Sequence, residues 1–166
     1  GWYDSMEPVK NKVQECGIGM IYASNFSIGV NAFFKMVESA AKIINNVPEY
    51  DILAMEMHHN RKKDSPSGTA KSLEKILLDN INRKDKIVED KLDRKIEKNE
   101  LQFASVRGGN IPGTHSIIFD SAADTIELKH TARNRMGFAA GAVKAAEFVK
   151  DKKGFFTIDD LMKELI

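Results

Sequence analysis

Residues 30–44 carry apolar side chains at Val30, Phe33, Phe34, Val37, Ala41 and Ile44, three- and four-residue steps that a helix gathers into one buried stripe. Asn45, Asn46 and Pro48 close that helix, and Tyr50 to His58 reads as a strand. After Ser67 the helical period returns, with Leu73, Ile76, Leu77 and Ile81 on one face. Upstream, Met6 to Cys16 reads as a short helix, with Pro8 tolerated in its first turn and Gly17 as its stop; Gly19 to Ala23 has the length and apolar content of a strand.

Beyond Ile81 the character of the chain changes. Asn82 to Glu100 is crowded with lysine, arginine, aspartate and glutamate and reads as a solvated, mobile connection. Leu101 to Val106, His115 to Phe119 and Thr125 to His130 are three strands by their β-branched and aromatic content, and the turns between them suggest an antiparallel meander. In the last strand Ile126, Leu128 and His130 share a face, which puts His130 on the apolar side. Met136 to Val149 is an alanine-rich helix, and Thr157 with Asp160 forms a capping box for a terminal one. The expected class is α+β: a mixed or antiparallel sheet with helices packed on one face.

Composition narrows the partners. The formal net charge is +1 and the densest basic run is only Arg61 to Lys63, so no nucleic-acid footprint is expected and small acidic molecules fit better. Cys16 is the sole cysteine, which excludes an internal disulfide and agrees with a reducing compartment. The sequence has neither a membrane-length apolar run nor a signal-peptide pattern, and the cytoplasm is the default location. Its opening, Gly1-Trp2-Tyr3, reads like the middle of a turn, and further chain is expected upstream.

The chemistry concentrates in Glu56 to Ala70, EMHHNRKKDSPSGTA. His58 and His59 titrate nearest to neutral pH, yet neighbours in a strand point to opposite faces, so both serve one ligand only if the strand ends there. One packed and one exposed histidine is the ordinary alternative. Lys62 offers an ammonium for a carboxylate and for general-acid work, whereas Lys63 reads as a surface charge. Ser67-Gly68-Thr69 opens a helix, and its first-turn amides suit either simple capping or an anion. His115, His130 and Glu56 raise a metal site, but no ligand spacing supports it and none is expected. Neither a nucleophile elbow nor a spaced dinucleotide glycine fingerprint is present.

The segment HHNRKKDSPSGTA resembles the HHxxKxDxPSGTA signature of the dihydrodipicolinate reductases, with Ser65 where alanine is usual. Gly1-Trp2-Tyr3 is similar to the end of that family's GTTG segment, and ASNFSIGVN at 23–31 to its nicotinamide-side loop. RGGNIPGTHSIIF at 107–119 and HTARNRMGFAAGAVKAA at 130–146 are similar to its later strands and closing helix. The resemblance implies a reductase of a cyclic dicarboxylate derived from 4-hydroxy-tetrahydrodipicolinate, using NADPH or NADH in the diaminopimelate route to lysine. It assigns acid/base catalysis to His58, proton donation to Lys62, and the substrate carboxylates to His59, Gly68 and Thr69. It likewise implies that Ala23, Ser24, Asn25 and Phe26 border the nicotinamide. It further implies a homotetramer, and a chain corresponding to the C-terminal two-thirds of the enzyme: 1–28 and 131–166 as remnants of a Rossmann-type nucleotide domain, 29–130 as the substrate and oligomerisation domain. A non-catalytic dicarboxylate-binding or oligomerisation fragment is the rival reading. A metal-dependent hydrolase built on His58 and His59 is another.

Overall fold

The computed structural model describes residues 2–165, which form two compact units, 2–31 with 136–165 and 32–135. The second is built on a five-stranded sheet of order β3-β4-β2-β5-β6: β2 (Asp51–His58), β3 (Lys86–Val88), β4 (Glu100–Arg107), β5 (Thr114–Asp120) and β6 (Thr125–Thr131). β2 is central, parallel to β4 and antiparallel to β5; β3 runs parallel to β4, and β5 and β6 form a hairpin. Helices α2 (Ile28–Asn45) and α3 (Gly68–Asn80) supply the apolar stripes. Phe33, Val37, Ala41 and Ile44 of α2 and Ala70, Leu73 and Leu77 of α3, with Ile81, meet Ile52, Ala54, Leu101, Phe103, Ile117 and Phe119 of the sheet in one buried core.

Two expectations need correction. The later strands are not a simple meander, because β2 lies between β4 and β5. The turn 108–113 spans up to about 20 Å when extended, enough to cross the roughly 10 Å of two strand spacings. It is fastened to the end of β2 as it passes: the amides of Gly108 and His59 donate to the carbonyls of His58 and Ile111, at 2.9 and 2.8 Å. Nor is 82–100 a free connection. It contributes β3, and it carries Lys84, 4% exposed, whose ammonium meets the Glu100 carbonyl at 2.8 Å and Asp51 at 2.6 Å. Glu100 is buried and accepts a bidentate pair from Arg94 at 2.7 and 2.8 Å and a bond from Lys86 at 2.7 Å. A charge-rich sequence marked solvent, and most of 89–99 is exposed, but Lys84 and Glu100 are buried with charged partners, the compensation that burial demands.

The first unit holds α1 (Met6–Cys16), β1 (Gly19–Tyr22), α4 (Met136–Val149), β7 (Gly154–Thr157) and α5 (Ile158–Glu164). β1 and β7 pair in parallel; β7 is a strand that sequence periodicity did not reveal, being only four residues long. Gly17 ends α1 in the left-handed conformation, as expected of a helix stop, and Asp160 accepts from the Thr157 amide at 2.9 Å at the start of α5. Among the described residues no helix is long and apolar enough to cross a membrane.

Candidate active site

The sheet face that meets the helices is apolar over most of its length and turns polar at one end. Along β2 the inward residues run Ile52, Ala54, Glu56, His58; along β4 they run Leu101, Phe103, Ser105, Arg107; along β5, Phe119, Ile117, His115. Register aligns the change, since Glu56 pairs with Ser105 on one side and His115 on the other, and His58 pairs with Arg107. The polar end is therefore the C-terminal end of β2, next to the start of α3, where α/β sites form.

Glu56 is fully buried. Its Oε1 accepts from the Ser67 amide at 3.2 Å, Ser105 Oγ at 2.9 Å and Arg107 Nη2 at 2.6 Å, while Oε2 meets His58 Nδ1. Burial alone would raise its carboxyl, but the bonds from Arg107, His58 and Ser105 outweigh that and hold it below the ordinary carboxylate value. For His58 burial lowers the imidazole, and the charges of Lys62 and Arg107 add to this; the Glu56 contact opposes it without reversing it. Burial pushes His115 down to about 4. The His58 and His115 rings meet edge to face, 5.3 Å apart.

Ser67 joins two structures. Its Oγ accepts from the Ala70 amide at 3.1 Å as the N-cap of α3 and contacts His115 Nε2 at 3.1 Å. The hydroxyl keeps a proton and a second lone pair for His115, whose Nδ1 is buried without a hydrogen-bond partner. The helix cap expected at Ser67 is present and does a second task.

The expected substrate residues are placed as follows. His58 ends β2, His59 follows it directly with a buried, unpartnered Nδ1, and Lys62 stands in the next turn, gripped by both Asp64 oxygens at 2.7 and 2.8 Å. Gly68 and Thr69 open α3, and a Cβ at Gly68 would meet nothing within 4 Å. All five belong to the unit of 32–135. Ala23, Ser24, Asn25 and Phe26 lie in the other unit, in the loop after β1. There Asn25 Oδ1 accepts from the Ser27 amide at 2.8 Å, and Asn31 Nδ2 donates to the carbonyls of Asn25 and Ser27 at 2.9 and 2.8 Å. Gly141 of α4 backs that loop, since a Cβ there would fall 1.7 Å from the Phe26 carbonyl oxygen.

Sequence reasoning named Glu56 and His115 only as poor metal candidates and omitted Arg107 and Ser105. The signal was the period of two: Glu56 and His58 share a face, as do Ser105 and Arg107, at the ends of otherwise apolar strand faces. Ligand atoms of Glu56, His58 and His115 do lie within 4.8 Å of one another. The Arg107 guanidinium bonds the same carboxylate, Ser67 Oγ contacts His115 Nε2, and His59 stands outside the trio.

Gly113 abuts this cluster with φ at +153°, and a Cβ there would lie 2.9 Å from His58 Nε2. Gly113→Ala is expected to cost about 1–3 kcal/mol through strain and overpacking; urea unfolding measures it, and an unchanged midpoint contradicts the close approach.

Residues 29–162 match the family model described as "Dihydrodipicolinate reductase, C-terminus". The chain belongs to that family. It is 39% identical over 165 residues to the 4-hydroxy-tetrahydrodipicolinate reductase of Christiangramia forsetii, covering 99% of this chain and 67% of that one. It is 38% identical to the enzyme of the same name from Cupriavidus taiwanensis, covering 87% of this chain and 56% of the relative. For the Methanococcoides burtonii reductase the figures are 37%, 93% and 57%. This member of the dihydrodipicolinate reductase family thus spans little more than half the length of most of these relatives. The dipicolinate-bound dihydrodipicolinate reductase of Paenisporosarcina sp. TG-14 shares the fold at a TM-score of 0.71 and 22% identity, over 93% of this chain and 58% of that one. The mixed sheet with its helices is the α+β architecture expected of the sequence.

Proposed function

We propose that the whole protein reduces the cyclic dicarboxylate derived from 4-hydroxy-tetrahydrodipicolinate to tetrahydrodipicolinate, in the cytoplasmic route to lysine through diaminopimelate. The observation that carries this is the grouping at the end of β2: an imidazole braced by a buried carboxylate, an ammonium in the following turn and the opening of α3. A dianion suits such a place, because cations and helix-terminal amides both favour negative charge. The relatives' name and the dipicolinate in the structural neighbour agree with that choice of ligand.

In this reading His59, Gly68 and Thr69 hold the carboxylates, Lys62 donates the proton and His58 serves as acid/base at the reacting ring. The depressed imidazole is neutral near pH 7, so His58 takes up a proton as the dianion arrives, and Glu56 stabilises the imidazolium. NADH or NADPH, when bound, supplies the hydride, and the loop of Ala23, Ser24, Asn25 and Phe26 fits its nicotinamide side. That loop offers one aromatic ring and short polar side chains, pinned by Asn31. Residues 32–135 then form the substrate and oligomerisation unit, and 1–31 with 136–166 belong to the nucleotide side.

The sheet face away from α2 and α3 supports a homotetramer. It presents Leu53 and Val106, 42% and 48% exposed, beside Met55, Met57, Ala104 and Ile118.

The deciding assay follows oxidation of NADPH and of NADH by the intact gene product with freshly made substrate. Turnover with either is expected. Absence of turnover, with pyridine-2,6-dicarboxylate still binding, favours a non-catalytic dicarboxylate-binding fragment instead.

A further inference from the structure

Acid/base work by His58 depends on which imidazole nitrogen faces the ligand. We propose that Glu56 is the positioning residue of His58, its carboxylate accepting the hydrogen bond from Nδ1–H so that Nε2 is the nitrogen presented beside Gly113. The inference rests on the functional reading for its consequence in catalysis, and on geometry alone for the tautomer.

Three donors converge on one oxygen of Glu56: the Ser67 amide, Ser105 Oγ and Arg107 Nη2, at 3.2, 2.9 and 2.6 Å. They arrive from the N-cap of α3 and from β4, so the carboxylate plane is fixed from two elements. Oε2 is left for His58 Nδ1. An ionised carboxylate only accepts, so Nδ1 must carry the proton and Nε2 the lone pair. Arg107 Nη2 also donates to the Asp64 carbonyl at 2.8 Å, and Asp64 holds Lys62 through both oxygens. The same guanidinium therefore steadies the carboxylate behind the imidazole and the turn that carries the ammonium. The arrangement resembles in its logic any carboxylate that fixes a catalytic imidazole and stabilises its cation.

Glu56→Gln separates positioning from mere packing. The three donors still seek an oxygen, so the amide oxygen takes the Oε1 place and the NH₂ turns toward His58. Nδ1 must then accept, and the proton moves to Nε2. Long-range ¹⁵N–¹H NMR of His58 at neutral pH, in the unliganded protein, reads the tautomer directly. The expected result is Nδ1–H in the native protein and Nε2–H in the variant. The charged groups facing the ring are Glu56 from β2, Arg107 from β4 and Lys62 from the turn, with the titratable His115 from β5 neutral at that pH, and only the first is altered. The imidazolium should accordingly form at lower pH in the variant. In the intact enzyme kcat should fall at least about 100-fold, with its acid limb displaced and the dicarboxylate KM little changed.

An Nε2–H tautomer in the native protein overturns the proposal, as does a variant with unaltered tautomer and pH profile. Should Glu56→Gln not fold, the native spectrum and that of Ser105→Ala, which removes one donor and keeps the carboxylate, still decide: both must show Nδ1–H. Because the tautomer is read without substrate, a failed reductase assay with the expected spectra removes only the reductase reading. Normal turnover in a tautomer-shifted variant removes only the positioning role.

Discussion

Replacing Lys62 with alanine in the intact enzyme is expected to lower turnover by about 10²–10⁴-fold, the usual worth of a positioned general acid, with binding of the reduced nucleotide nearly unchanged. Lys62 is 20% exposed and its ammonium spans both oxygens of Asp64, itself 57% exposed. A clamp between groups this accessible to water is weak. A substrate carboxylate can take over the ammonium without a large cost, and Asp64 in the meantime keeps it at the mouth of the site. Lys62→Arg divides the two tasks. The guanidinium keeps the positive charge but does not give up a proton near neutral pH, so pyridine-2,6-dicarboxylate should bind the arginine variant far better than the alanine one, while both turn over slowly. Steady-state kinetics and titration of NADPH fluorescence measure these quantities. An equal loss of nucleotide affinity in Lys62→Ala contradicts its assignment to the substrate.

How much of this was written in the sequence depends on the range of the interactions. α2, α3 and β2 follow from local periodicity, because Val30 to Ile44 and Leu73 to Ile81 each place one stripe on one face. The N-cap at Ser67 was equally local, and so were the two histidines and Lys62. Strand order was not local. The passage of 108–113 over β2 depends on what pairs with what, and the glycine-rich turn looked like an ordinary hairpin connection. The charges of Lys84 and Glu100 were read as solvated because their partners, Asp51 and Arg94, are fixed only in three dimensions. Glu56 was hidden for the same reason: a lone acid in an apolar strand gains meaning only when Ser105 and Arg107 from β4 and His115 from β5 come to flank it. The family resemblance named residues around this cluster, while the brace beneath His58 came from the fold.

His115 carries the second large effect, on stability. It is 4% exposed, and burial brings its imidazole from the ordinary 6.5 down to about 4. A base depressed in the folded state binds fewer protons there than in the unfolded chain throughout that interval, so unfolding takes up a proton and stability rises with pH between the two values. His115 therefore costs nothing above about pH 6.5 and destabilises progressively as pH falls, by about 3 kcal/mol at pH 4. His58 and His130 are lowered too and act in the same direction, whereas Glu74, raised by burial, acts in the opposite one above its ordinary value of 4.5. A comparison of variants isolates His115 from these. His115→Gln keeps an amide that can hydrogen-bond to Ser67 Oγ in either direction but cannot titrate, so urea unfolding from pH 7 to pH 4 should show native stability falling more steeply than the variant's, the gap between them shifting by about 3 kcal/mol across the range. Parallel curves would mean that the buried ring reaches water or a second partner on acidification, and that the neutral, Ser67-bound imidazole is not what holds β5 against the start of α3.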